Sequence, residues 1–110
     1  MNSQDNEMLL KHVQFIADTL SNGFNDDDLN SDDEPMSAYD YLTDALDINW
    51  ILNNDKSYRG ARVLVAFGGP NIWVDTERGI VEGNWWGEYA KARFDDNIGL
   101  DDALNDLYNC

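Results

Sequence analysis

Ala61-Arg62-Val63-Leu64-Val65-Ala66-Phe67-Gly68-Gly69-Pro70-Asn71-Ile72-Trp73-Val74-Asp75-Thr76 decides the fold. Residues 61–67 form a short, β-branched, apolar run, which reads as a strand buried on both faces. The Gly-Gly-Pro-Asn that follows carries turn chemistry. Residues 71–76 then alternate, with Ile72, Val74 and Thr76 facing one way and Trp73 and Asp75 the other. Downstream, Glu77-Arg78-Gly79 makes a tight turn into a further strand over residues 79–86. Residues 89–94 supply a fourth strand, because Tyr89, Lys91 and Arg93 alternate with Ala90, Ala92 and Phe94. Strands joined by tight turns make a small antiparallel sheet.

On either side of this block the period changes to that of a helix. Leu9, Val13, Ile16 and Leu20 fall on one stripe over residues 7–20, and Ser21-Asn22-Gly23 stops it, with Gly23 suited to a left-handed cap. Ser37 is placed to cap a second helix, with Asp40 three residues on as an acidic capping box. Leu42, Ala45 and Leu46 share its inner face, and Asp40, Asp44 and Asp47 lie opposite. Ile48, Trp50, Ile51 and Leu52 prolong this helix or pack just after it, until Asn53-Asn54-Asp55 ends the segment. At the far end Leu100, Ala103, Leu104, Leu107 and Tyr108 form a third helical stripe. The expectation is one α+β domain over residues 1–110, with three to four antiparallel strands against about three helices.

The charge is unusual. Twenty-two acids, 17 of them Asp, face seven bases, for a net charge of −15. Solubility alone asks for a net charge of about 2–8. A field of this sign repels nucleic acid and anionic membrane and attracts basic protein surfaces. It is also unevenly spread: residues 1–57 hold 13 acids and 2 bases, residues 58–110 hold 9 and 5. Six of the acids crowd into an acidic loop over about residues 25–36, namely Asp26, Asp27, Asp28, Asp32, Asp33 and Glu34. On the second helix Asp40, Asp44 and Asp47, at i, i+4 and i+7, would form a rigid row of short carboxylates about 5–6 Å apart. No Lys or Arg relieves the repulsion within that row. An ordinary solvated helix face is the competing reading.

Catalytic and metal patterns are not legible. Set on an EF-hand, Asp26, Asp28 and Asn30 take positions 1, 3 and 5, but Ser31 stands where Gly is needed and Ser37 where Glu is needed. His12 has no His or internal Cys partner for zinc, and Cys110, the one cysteine, forms no intrachain disulfide. Gly68-Gly69-Pro70 lacks the Lys and following helix of a phosphate loop. Trp85 and Trp86 are adjacent on a strand and face opposite sides, so one packs in the core while the other lies outside or under a helix. With Trp73 nearby, core packing is the favoured reading, and an exposed tryptophan beside acid would be a hot spot for an Arg-rich partner. No cofactor, no metal and no enzymatic activity are expected. No apolar run is long enough to span a membrane, and residues 1–5 lack the pattern of a signal peptide, so a cytoplasmic protein is expected.

The residue 26–28 and 32–34 clusters, the Asp40/Asp44/Asp47 row and the short length together resemble the small acidic inhibitors of phages and mobile elements, the anti-CRISPR and anti-restriction proteins that imitate DNA. Residues 68–75 followed by 81–86 are also similar to short reading frames from such elements. The resemblance implies an inhibitor whose acidic face fills the nucleic-acid groove of a basic host defence protein, a CRISPR effector or a restriction enzyme. Asp26, Asp27, Asp28, Asp32, Asp33, Glu34, Asp40, Asp44 and Asp47 would be its contacts. An immunity protein or antitoxin against a basic nuclease toxin would share these electrostatics, as would an acidic adaptor for basic proteins.

Overall fold

The computed structural model describes residues 3–25 and 27–110. The chain runs α1 (Ser3–Asn22), α2 (Ala38–Thr43), β1 (Asp47–Leu52), β2 (Tyr58–Ala66), β3 (Asn71–Asp75), β4 (Ile80–Trp85), β5 (Glu88–Arg93) and α3 (Leu100–Tyr108). The strands make one sheet in the order β1-β2-β3-β4-β5, with every neighbouring pair antiparallel. It is an α+β fold, as expected, with one strand more than the sequence reading gives.

Cross-strand register sorts the side chains into two faces. Val63 stands opposite Val74, Val74 opposite Val81 and Val81 opposite Ala92, so one buried stripe crosses four strands. Ile72, Gly83 and Ala90 form a parallel row beside it. All three helices contribute to the single core on this face: α1 lies over β4 and β5, α3 lies against β2, and α2 packs on α3. Leu9, Val13, Ala17 and Leu20 of α1 and Leu100, Ala103 and Leu104 of α3 are buried there. Each Leu or Val so buried contributes about 1.5–3 kcal/mol. Leu107, expected on the same stripe, is 43% exposed, whereas the next residue, Tyr108, packs on Trp50 of β1 and Tyr58 of β2.

The approach of α1 depends on Gly83. A Cβ at that position would lie 2.9 Å from Val13 Cγ2 and 3.0 Å from Leu9 Cδ1. Glycine in mid-strand therefore marks a place where helix and sheet meet too closely for a side chain.

The second helix departs from expectation. Its capping box forms as read, with Ser37 accepting from the Asp40 amide and Asp40 accepting from the Ser37 amide. But the helix stops at Thr43, with Asp44 as its C-cap. The Leu46 amide then donates to the Leu64 carbonyl (2.9 Å), and residues 47–52 form β1 along the free edge of β2. The physical reason is the edge itself. β2 is largely buried, and its second row of backbone donors and acceptors needs a partner. Ile48, Trp50 and Ile51 are strand-favouring residues that supply one. Among the described residues no helix is long and apolar enough to cross a membrane.

Candidate protein-interaction surface

Between Lys11 and Lys56 the chain has 11 acids and no Lys or Arg, and after Arg93 it has five more acids and none. The first stretch holds the acidic loop, α2 and β1 and the second holds α3; α2 and α3 pack together on the helix side of the sheet. Four ion pairs occur among the described residues: Arg59–Glu77, Arg62–Glu82, Arg78–Asp75 and Arg78–Glu82. All belong to the sheet and its turns, so the helix-side carboxylates described here are left without ion pairs.

The acidic loop is a small hairpin closed by a bridge between Leu29 and Pro35. Asn30 organises it. Its side-chain oxygen accepts the amides of Asp32 (2.9 Å) and Glu34 (3.0 Å), and its amide nitrogen donates to Asp40 Oδ2 (3.2 Å). Asp33 sits at the tip with φ 62°, a left-handed conformation that Asp tolerates better than most residues. Asp27, Asp28, Asp32, Asp33 and Glu34 are thus presented to solvent on a shaped hairpin. Asp26 lies outside the described residues.

The expected row of Asp40, Asp44 and Asp47 does not form. Asp40 Oδ2 is bound by the Ser37 amide and hydroxyl (both 2.9 Å) as well as by Asn30. The Ser37 amide first, then Asn30 and the Ser37 hydroxyl, hold its carboxyl below the usual range. Asp40 is therefore a structural acid that ties the hairpin to the helix. Asp44 closes α2 and is exposed. Asp47 belongs to β1, where its partner Leu64 lies opposite Trp73, on the sheet face away from the helices. The row depended on a helix through residue 47, and strand pairing took that segment instead.

A helical pair of acids exists elsewhere, on α3. Asp102 and Asp106 lie one turn apart and exposed. Asp106 Oδ2 accepts the Tyr39 hydroxyl at 2.6 Å, which raises the tyrosine's pKa and ties α3 to α2. Asp101 accepts the Tyr58 hydroxyl at 2.6 Å, and Asp96 caps α3 by accepting the amides of Leu100 (2.8 Å) and Asp101 (2.7 Å). The signal was present in the sequence: Asp102 and Asp106 stand four apart, off the apolar stripe.

The opposite face of the sheet carries no helix, and its side chains cover one another. Glu82 is only 7% exposed and takes Arg62 (2.7 Å), Arg78 (3.1 Å) and the Tyr89 hydroxyl (2.7 Å). Burial alone would raise its carboxyl. The Tyr89 and Arg62 hydrogen bonds and the two guanidinium charges outweigh burial and hold the group below its ordinary value. Asp75, 3% exposed, accepts the Arg78 amide (3.0 Å) and Nε (3.1 Å), while Arg62 lies 4.8 Å over the Trp73 ring. Lys91 and Arg93 share this face through their register with Glu82 and Ile80. Four of the seven bases are therefore gathered on the side away from the helices. The molecule has a mixed, internally compensated face and an acidic, uncompensated one.

At one end of the sheet the β4–β5 loop is a two-residue turn of Trp86 (φ 53°) and Gly87 (φ 81°), with the Trp86 side chain 73% exposed. Trp85, its neighbour, packs against the core. Among the described residues no group of three or more His, Cys, Asp or Glu side chains could hold a metal ion. No protein family, curated protein or solved structure matches the chain.

Proposed function

We propose that this protein is a non-enzymatic inhibitor that occupies the nucleic-acid groove of a basic host defence protein, a CRISPR effector or a restriction enzyme. Its contact surface is the helix side: the hairpin acids Asp27, Asp28, Asp32, Asp33 and Glu34, together with Asp44, Asp102 and Asp106. The observation that carries the reading is the segregation of charge. Every ion pair among the described residues lies in the sheet and its turns, and α2 and α3, from the two base-free stretches, pack together on the helix side. A stability-driven sequence would disperse its bases among those acids. Keeping them apart costs self-repulsion and leaves a negative field, which complements a partner's basic surface built to bind a polyanion.

The test is DNA cleavage by a panel of CRISPR effectors and restriction enzymes, with and without the protein. Inhibition should weaken steeply with salt and be relieved by competing DNA. The variant carrying Asp44→Asn, Asp102→Asn and Asp106→Asn should inhibit at least about tenfold less well, with a shallower salt dependence. If no effector or restriction enzyme is inhibited but a nuclease toxin is, the protein is an immunity protein or antitoxin instead. If the triple variant inhibits normally, the helix-side surface is not the contact.

A further inference from the structure

Between α1 and α2 the core comes to the surface. A groove of about 330 Å³ is floored there by Ile16, Phe24, Met36, Tyr41, Ala45 and Ala66, and its rim carries His12 on one side and Asp44 on the other. All six floor residues are half-buried, so none is wholly covered by the protein's own fold. The shape has a local cause. β2 shifts register between Leu64 and Ala66, and the residues of this bulge, Val65 and Ala66, line the groove. Tyr41 leans on Phe24 with ring centroids 6.0 Å apart, and burial pushes its hydroxyl up to about 12, so the wall stays uncharged. Asp44 and Met36 also border the next hollow, alongside Leu29, Asn30 and Asp40. The apolar floor thus passes directly into the acidic hairpin, and neither hollow is lined by a Lys or Arg.

We propose that this groove seats an apolar side chain from a basic amphipathic segment of the partner, while Lys or Arg residues flanking that anchor meet Asp44 and the hairpin carboxylates. Charge complementarity selects this occupant: an acidic peptide or a nucleic acid would meet like charge at Asp44 and along the hairpin. A helix presenting Leu with Lys three or four residues away places both chemistries about 5–6 Å apart, on the scale of the groove and its rim. The inference rests on the helix side being the partner-binding face. It adds a means of specificity, since apolar burial is not screened by salt as charge attraction is.

Two helical peptides of equal charge serve as probes, one with Lys and Ala only and one with a Leu at every third or fourth position. The Leu peptide should bind at least about tenfold more tightly. It should also keep that advantage at high salt and shift the methyl resonances of Ala45 and Ala66. Ala66→Trp fills the groove without changing charge and should cancel the advantage, while the Lys-Ala peptide binds as before and so reports an intact surface. Ala45→Met narrows the groove from the α2 side and should reduce the same difference if Ala66→Trp does not fold. Equal binding of the two peptides, or an advantage that survives the groove-filling variant, overturns the groove proposal alone. Failure of both peptides to bind overturns the groove and the acidic-face reading together.

Discussion

Replacing Glu82 with Gln removes one charge and scarcely changes the side chain's shape, so its effect isolates the electrostatics of the open sheet face. The carboxylate accepts from Arg62, Arg78 and Tyr89 and is nearly buried by them. Breaking a buried ion pair costs about 3–5 kcal/mol. Here the Arg62 and Arg78 side chains are 37% and 55% exposed and can turn to water, and Gln keeps one acceptor. The expected loss is therefore smaller, about 2 kcal/mol, or a fall in Tm of about 8 °C. Its pH dependence has a definite sign. The folded-state pKa of Glu82 lies below the ordinary value, so the unfolded chain takes up the proton first as pH falls. The stabilisation is complete above the ordinary Glu range near pH 4.3 and is lost as pH drops through the folded value. Urea unfolding followed by tryptophan fluorescence should show the full gap between wild type and Glu82→Gln at neutral pH. The gap should close in acid. A variant within about 0.5 kcal/mol of wild type at neutral pH, or a gap unchanged in acid, would refute the account of this network.

Gly83→Val should cost about 1–3 kcal/mol in urea unfolding, because the added side chain meets Val13 and Leu9. Val13→Ala made together with Gly83→Ala should be less damaging than the two single costs added, since each relieves the other's contact. Trp86→Gly should stabilise the chain by about 1 kcal/mol in thermal melts, because φ 53° suits glycine and the exposed indole contributes little packing. Ser37→Ala removes the cap that the Asp40 amide donates to, and should lower stability by about 1 kcal/mol in the same assay.

Much of the fold was legible because β2 announces itself as a short apolar, β-branched run, β3 to β5 by alternation between turn residues, and α1 and α3 by their stripes. β1 was not, although Leu46, Ile48, Trp50 and Leu52 stand at strand spacing. The Ser37 capping box and the i, i+4, i+7 placing of Asp40, Asp44 and Asp47 argue for a continuing helix over the same residues. Two periods compete there, and the unpaired edge of β2, which no local pattern reveals, decides between them. The acidic hairpin was legible as composition but not as shape, since its order rests on the Leu29–Pro35 bridge and on the bonds made by the Asn30 side chain. The cluster around Glu82 joins Arg62, Arg78 and Tyr89 from three hairpin-linked segments. Their meeting depends on strand register, which a single sequence specifies weakly until the turns are known.

The sheet is a simple meander, yet its first helix packs on its last two strands. Asn6 bonds Glu88, 82 residues away along the chain, and Val13 settles over Gly83. During synthesis each hairpin from β1 onward can close as soon as it emerges, because its contacts are local. The apolar stripe of α1 must wait, exposed, until β4 and β5 have been made. Leu9, Val13 and Leu20 are therefore the residues most open to wrong association in a nascent chain. The acid-rich segment that follows them, with no Lys or Arg before Lys56, keeps neighbouring copies apart by repulsion during that interval.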